Sequence, residues 1–368
     1  MTDLSFLDKF QNLPWLKPNL SLLVLHGSKA YNTNIESSDD DYKGFCIPPR
    51  KYYLSSIHKF EQAESKDKKD GMPDAVIYEI RKFINLAVFC NPNIIEVLFV
   101  DPSDILYTNK IGEEVLANRD MFLSKKIRHT MSGYAHSQLH RLKLHRGYLL
   151  NPPKKIPERK DFGLSEKDLI PKNQLEAVLA DIKKELDKFT FDFLDNLDEP
   201  QKIALRNTVE EMMASLKLTE DTKFISAART VGLDDNFIEK LQLERNFLSA
   251  KRDYDKYQEW KKNRNPARAL DEAKFGYDPK FAYHLIRLLR MCVEVLETGK
   301  VIVKRHDRED FLSIRRGEWS YDKLIEEANK LNVKSEELYK TSTVIPHSPD
   351  LEKVDQFCID LVTKYLYG

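Results

Sequence analysis

The chain has 368 residues, 59 of them basic and 59 acidic, with 41% hydrophobic and 32% charged residues. That length suits about two domains of ~100–200 residues and allows a real core. Balanced charge excludes a global field that would draw in a polyanion, so any phosphate-binding surface has to be local.

In chain order, the opening MTDLSFLDKF lacks the basic start and long apolar run of a signal peptide. Leu22, Leu23, Val24 and Leu25 form a short apolar run ending at His26-Gly27-Ser28, the pattern of a buried strand bounded by glycine. Residues 41–47 predict a second strand, stopped by Pro48-Pro49. The polar stretch 61–73 reads as a loop, and residues 74–78 as a third strand. From Glu79 to Cys90, apolar residues at Ile80, Phe83, Ile84, Ala87 and Val88 have helical spacing. Asn91-Pro92-Asn93 ends that helix, and residues 94–100 are ambiguous between helix and strand. The first ~115 residues are thus mixed α/β.

Beyond Ile111 the pattern turns helical. Residues 122–150 predict one long helix, basic on one side, and the prolines between 151 and 171 an extended connector. Residues 173–264 read as charge-rich helices. One opens at Glu199-Pro200 and another at the capping cluster Asp234-Asp235-Asn236. Pro279 opens a helix to Thr298, closed by Gly299. Interruptions near Asn332 divide the last helices. The expected division is 1–115, a catalytic domain, and 116–368, a helical region. The latter holds a connector (150–172), a charged insertion (173–264) and C-terminal helices (275–368).

Cys46, Cys90, Cys292 and Cys358 form no CxxC pair, which argues against a zinc site or a disulfide framework. Their apolar neighbours point to buried free thiols in a reducing compartment. No run approaches the ~18 apolar residues of a membrane span. A soluble cytoplasmic protein with no membrane partner is expected.

The chemistry lies in LHGSKAYN (25–32) and SSDDDYKG (37–44). Glycine lets backbone approach a phosphate closely, and a helix start after it offers free N–H groups, with Ser28 adding a hydroxyl. Asn32 stands where a positive φ would serve the turn. Residues i and i+2 of a strand share a face, so Asp39 and Asp41 would set two carboxylates side by side, with Asp40 turned away. Nucleotidyl transfer needs divalent cations, and Mg²⁺ needs hard oxygen ligands.

These residues resemble the DNA polymerase β-like nucleotidyltransferase superfamily, with its GS pair after a strand, a DxD or DxE on the next strand, and a further acid on a third. The resemblance is closer to the bacterial and phage nucleotidyltransferases associated with RNA repair operons, which look like GSxAYG…SDxDxKG, DxxxYxLRKF…NPN, HLIRLLR…ETG and IRRGEWSY. This chain reads GSKAYN…SDDDYKG, DAVIYEIRKF, CNPNIIEVLF, YHLIRLLRMCVEVLETGK and SIRRGEWSY. The likeness covers roughly residues 22–150 and 275–325, with Asn32 in the place of the usual glycine. It implies an α/β N-terminal domain with a small mixed sheet and flanking helices, then a mainly α-helical C-terminal region. It also implies transfer of a nucleoside monophosphate from a nucleoside triphosphate to a hydroxyl, with Mg²⁺ or Mn²⁺ as cofactor and an RNA, perhaps tRNA-like, end as acceptor. Localisation would be the cytoplasm of a bacterial or phage-infected cell.

Carried over residue by residue, Gly27 and Ser28 would hold the β/γ phosphates, and Asp39 and Asp41 the metal. Asp74 would supply the third carboxylate. Glu79 is its rival, yet lies five residues on and would face the other way. Lys29, Tyr31, Lys43, Arg287 and Arg315 complete the expected nucleotide-binding set, and Gln138, Arg141, His145 and Arg316 the acceptor-binding set. Two alternatives stay open: an acceptor that is a protein side chain or small molecule, and an inactive nucleotide-binding module.

The remaining features have two readings each. Tyr134, Gln138, Arg141 and His145 recur at helical spacing, with Lys125, Lys126, Arg128 and Lys143 adding charge; this is a phosphate-tracking surface or a solvated helix face. His136 and His140 are four apart but lack a third ligand, so they predict no metal site. In 281–298, Ala282, Leu285, Leu289, Cys292 and Leu296 form a core stripe. Arg287 or Arg290 could reach a phosphate, or Arg290 could pair with Glu294. Arg315-Arg316-Gly317 suits phosphate contact, and Trp319 and Tyr321 could stack a base or pack into the core.

Overall fold

The structure, a computed structural model, describes residues 4–10, 12–36, 38–65, 73–165, 176–181, 225, 228–230 and 232–367. Ser37, residues 66–72, the helix expected from Glu199-Pro200 and most of the charged insertion lie outside the described residues.

Strand β1, Leu20–His26, is buried along nearly its whole length, and so takes an interior place in the sheet. The described sheet has five strands in the order β3-β4-β2-β1-β5. β2 (Asp41–Cys46) and β5 (Ile105–Thr108) flank β1, both antiparallel to it. β4 (Asp74–Glu79) runs parallel to β2 and antiparallel to the edge strand β3, Gln62–Ser65. The sheet is therefore mixed, as expected. β3 corrects the loop reading of 61–73. It is a short edge strand in which only Ala63 and Ser65 face inward, so its polar outer residues hide the alternation. β5 gave no local signal strong enough to be singled out.

The helices of the first part are α1 (Gly27–Ala30), α2 (Lys51–Leu54), α3 (Ile80–Val88), α4 (Pro92–Leu98), α5 (Lys110–Ala117) and α6 (Ile127–Leu150). The ambiguous stretch after Asn91 is helical: the Asn91 side chain accepts from Asn93 N at 3.1 Å, and Pro92 stands in the first turn. Then come α7 (Asp235–Asn263), α8 (Pro266–Phe275), α9 (Pro279–Thr298), α10 (Arg308–Arg315), α11 (Tyr321–Thr341) and α12 (Leu351–Tyr367). α9 has the expected limits. Asp278 caps it by accepting from Lys280 N at 2.7 Å, and Gly299 closes it at φ 72°. Asn332 does not divide the last helices; it lies within α11, where the buried residues Leu324, Ala328, Leu331 and Ser335 keep the helical period across it. No described helix is long and apolar enough to cross a membrane.

The chain forms two compact units, Met1–Leu149 with Asn265–Gly368, and Leu150–Arg264. In the second, Asp234 caps α7 by accepting from Phe237 N at 2.9 Å, and Arg159 forks onto both oxygens of the Glu244 carboxylate, Nη1 donating to Oε2 at 2.9 Å and Nη2 to Oε1. In the first, one core joins both ends of the sequence. Leu22 and Val24 of β1, Phe45 of β2 and Phe83 of α3 pack with Met291, Cys292 and Val295 of α9 and with Leu361 of α12. Burying side chains of this kind contributes about 1.5–3 kcal/mol each. The expected stripe on α9 is buried throughout, and Cys46, Cys90 and Cys292 are buried free thiols; Cys358 is partly buried.

Candidate active site

The end of β1, the start of β2 and the start of β4 open into a cavity of about 570 Å³. Asp41 opens β2 and Asp74 opens β4, and the parallel pairing sets them opposite each other in register. Both line the cavity, with Asp39 and Ser28. Burial, and next the charge of Asp74, raise the Asp41 carboxyl above its ordinary pKa, against the pull of Lys43 and Lys280. Asp39 reaches the cavity differently from expectation. It precedes β2 rather than lying within it, so strand alternation does not pair it with Asp41. Asp40 is turned away, taking Lys29 Nζ at 2.6 Å.

Glu79 is not part of this group. It is 3% exposed and caps α3: its carboxylate accepts from Lys82 N at 3.1 Å, Tyr53 Oη at 3.0 Å and Arg81 Nε at 3.0 Å. Between the two rivals, only Asp74 lines the cavity.

The Gly27-Ser28 turn sits directly on Asp41. Gly27 has φ 68°, and a Cβ there would stand 2.0 Å from Asp41 Oδ2. Only glycine allows both the conformation and the approach. α1 is a single turn, so its macrodipole is small, and what the turn offers is close access to its backbone. Asn32 has φ 58°, as its place in the turn requires.

Beneath the turn lies a buried polar hub centred on Glu96 of α4. It accepts from the Tyr31 hydroxyl and from Arg287 Nη1, and Arg287 lies over the Tyr31 ring at 3.9 Å. His26 Nε2 is 3.2 Å from Glu96 Oε2 but poorly aligned for a hydrogen bond. Burial works against the Glu96 charge, yet Arg287 and His26 together hold its pKa well below the usual carboxylate range. Burial holds His26 down to about 4, with Lys43 and Arg287 adding to it. Lys43, lowered by burial to about 8, donates to Asn93 Oδ1 at 2.7 Å.

The turn is tied to the C-terminal helices at three further points. Arg305 N donates to Tyr31 O at 3.1 Å, Arg315 Nη1 to Thr33 O at 2.7 Å, and the Thr33 and Tyr283 hydroxyls share a 2.7 Å hydrogen bond. Arg305 is itself clasped by Glu294 and Asp307.

The expected residues thus separate. Gly27, Ser28, Tyr31, Lys43, Asp39, Asp41, Asp74, Gln138, Arg287 and Arg315 line one cavity. Lys29 is turned to Asp40. Arg287 is neutralised by Glu96. Arg141 lies over Phe281, His145 pairs with Glu272, and the exposed Arg316 pairs with Glu309 and Glu318. Arg290 pairs with Asp307 and Asp310 instead of Glu294, which serves Arg305. Trp319 is packed into the helical core, its Nε1 donating to Ser313 Oγ at 2.9 Å. Sequence reasoning missed Glu96, Asn93, His284 and above all Lys280. Lys280 stands in the first turn of α9, lines the cavity, and makes no ion pair among the described residues. Burial, then Arg268 and Arg315, lower its pKa. Pro279 located this helix start in the sequence, but not the direction in which it points.

Among the described residues no three His, Cys, Asp or Glu side chains close on a single point. The donors nonetheless fit Mg²⁺. They are hard carboxylate oxygens, two of them crowded in register, and Mg²⁺ is commonly held by one or two carboxylates plus substrate phosphates rather than by a cage of protein ligands.

A mixed sheet with a glycine–serine turn packed on the first of two register-paired aspartates agrees with what the resemblance to the DNA polymerase β-like nucleotidyltransferases implies. Residues 8–149 match the model of RlaP, the RNA repair pathway DNA polymerase beta family, which supports the RNA repair branch for that part of the chain. An uncharacterized protein of Methanocaldococcus jannaschii is 30% identical over 114 residues, 31% of this chain. The match covers 46% of that relative, so the chain spans about half its length. No solved structure matches the chain.

Proposed function

We propose that the protein transfers a nucleoside monophosphate from a nucleoside triphosphate to a hydroxyl at an RNA end, releasing pyrophosphate, with Mg²⁺ or Mn²⁺ at Asp39, Asp41 and Asp74. The observation that carries this reading is the register pairing of Asp41 with Asp74 beside Gly27. Bound divalent cations would offset the triphosphate charge and polarise the attacking oxygen. The chain itself supplies position. Gly27 and Ser28 receive the phosphates at the turn. Lys280 and Arg315, which face the cavity without a carboxylate partner among the described residues, hold the triphosphate tail. Asp74, at the open edge of the pair, takes the proton of the acceptor hydroxyl.

The test is incubation of the protein with Mg²⁺ and each labelled nucleoside triphosphate in turn, against RNA, small-molecule alcohols and the protein alone. Label should join the RNA end. Asp41→Asn or Asp74→Asn should lower the rate on the order of a hundredfold or more, and chelation should abolish it. Label on protein or on a small molecule would replace the acceptor, and tight triphosphate binding without turnover on any acceptor would overturn the enzymatic reading.

A further inference from the structure

Phe89, the residue that closes α3, is 54% exposed and is not among the residues that line the cavity. The corner that displays it is strained: Cys90 has φ 50°, a left-handed conformation uncommon for a residue with a side chain. It is held there by burial of its thiol, 3.5 Å from Ser124 Oγ, and by Thr130 Oγ1 donating to its carbonyl at 2.7 Å. Such strain persists only where surrounding contacts impose it, and an observed outlier of this kind points toward function.

The same corner runs along one face of α6. Thr130, Tyr134 and Gln138 are spaced by four along α6, each about one turn from the next, and Lys126 stands in the turn just before the helix. Lys126 Nζ lies 5.1 Å from the Phe89 ring centre and makes no ion pair among the described residues. Thr130 holds Cys90. Tyr134, 42% exposed, receives Asn91 Nδ2 at 3.4 Å. Tyr134 and Gln138 line the cavity that contains Asp41 and Asp74. From Thr130 to Gln138, eight residues at ~1.5 Å each span about 12 Å, with Lys126 and Phe89 next to the Thr130 end.

We propose that this line binds the unpaired nucleotides preceding the acceptor hydroxyl, as single-stranded RNA, with one base stacked on Tyr134, another on Phe89 and a backbone phosphate at Lys126. The proposal rests on the nucleotidyl-transfer reading above and adds the path by which the acceptor arrives. Three observations favour a single strand: the line is continuous with the cavity, its cation suits a phosphate, and its ring faces can stack only bases freed from a duplex.

The experiment measures binding of a labelled hexanucleotide and a labelled dinucleotide to the full chain, with triphosphate binding measured separately. Phe89→Ala should weaken hexanucleotide binding about fivefold or more and spare both the dinucleotide and the triphosphate. Phe89→Trp should retain binding, which separates stacking from damage to the fold. Lys126→Ala should lower the salt dependence of hexanucleotide binding by a slope of about 0.7. A DNA hexanucleotide that responds alike supports the stacking line. Phe89→Ala binding the hexanucleotide as the parent does, or a hairpin duplex competing as well as the single strand, overturns the proposal. A parent protein that binds triphosphate but neither oligonucleotide overturns it too, and leaves the nucleotidyl-transfer reading standing.

Discussion

At the scale of the residue, the central constraint beneath the turn is Glu96, one carboxylate shared by Tyr31 and Arg287 and close to His26. Its removal would strand a buried guanidinium, since Arg287 is 4% exposed. Glu96→Ala should therefore cost about 3–5 kcal/mol in denaturant unfolding, while Lys29→Ala, at a half-buried pair near the surface, should cost about 1 kcal/mol or less. His26 gives the pH dependence. Folded, it takes a proton only near pH 4; unfolded, near 6.5. The unfolded chain binds more protons between these values, so stability rises with pH across that window and is flat above it, by up to about 3 kcal/mol for this group. Unfolding measured from pH 4 to 7 should show that slope, and His26→Gln should flatten it. Gly27 and Asp41 were legible in the sequence through their local motifs, and Asp74 through the family resemblance. Glu96 and Lys280 were not. Their importance comes from which distant helix they face, and neighbours in sequence do not encode that.

At the scale of the element, the decisive piece is the turn from β1 into α1. A methyl group at Gly27 would overlap Asp41 Oδ2 and oppose a φ of 68°. Gly27→Ala should destabilise by about 1–3 kcal/mol and displace the Asp41 carboxylate, with a larger loss of transfer rate than of stability. An unchanged rate would show that the turn does not position the acid. Elements with strong local codes were readable in advance. α9 shows Asp278, Pro279 and Gly299 at its limits, and β1 is an uninterrupted apolar run. β3 was not, because an edge strand needs only one apolar face and Ala63 is a weak signal. Asn332 misled for the opposite reason: its modest helix propensity is overridden by the core residues on either side.

At the scale of the whole molecule, the cavity is made by two distant stretches of one compact unit, and neither completes it alone. Three bonds join the turn after Ser28 to α9, α10 and the 299–307 loop. A triphosphate held at Gly27-Ser28 should slow amide hydrogen exchange in residues 302–315 as well as in 26–33. Protection confined to the N-terminal stretch would show the two to be uncoupled.

The clasp of Glu294 and Asp307 on Arg305 has a consequence of its own. Arg305 is moored through its side chain to Glu294 and Asp307, neither of which lines the cavity, and through its backbone to Tyr31. Coupling of this sort is reciprocal. For a nucleotide held at the turn as proposed, anything that slackens the mooring would loosen the grip on nucleotide by the same free energy with which nucleotide tightens the mooring, making the Glu294–Arg305–Asp307 cluster a dial on substrate affinity.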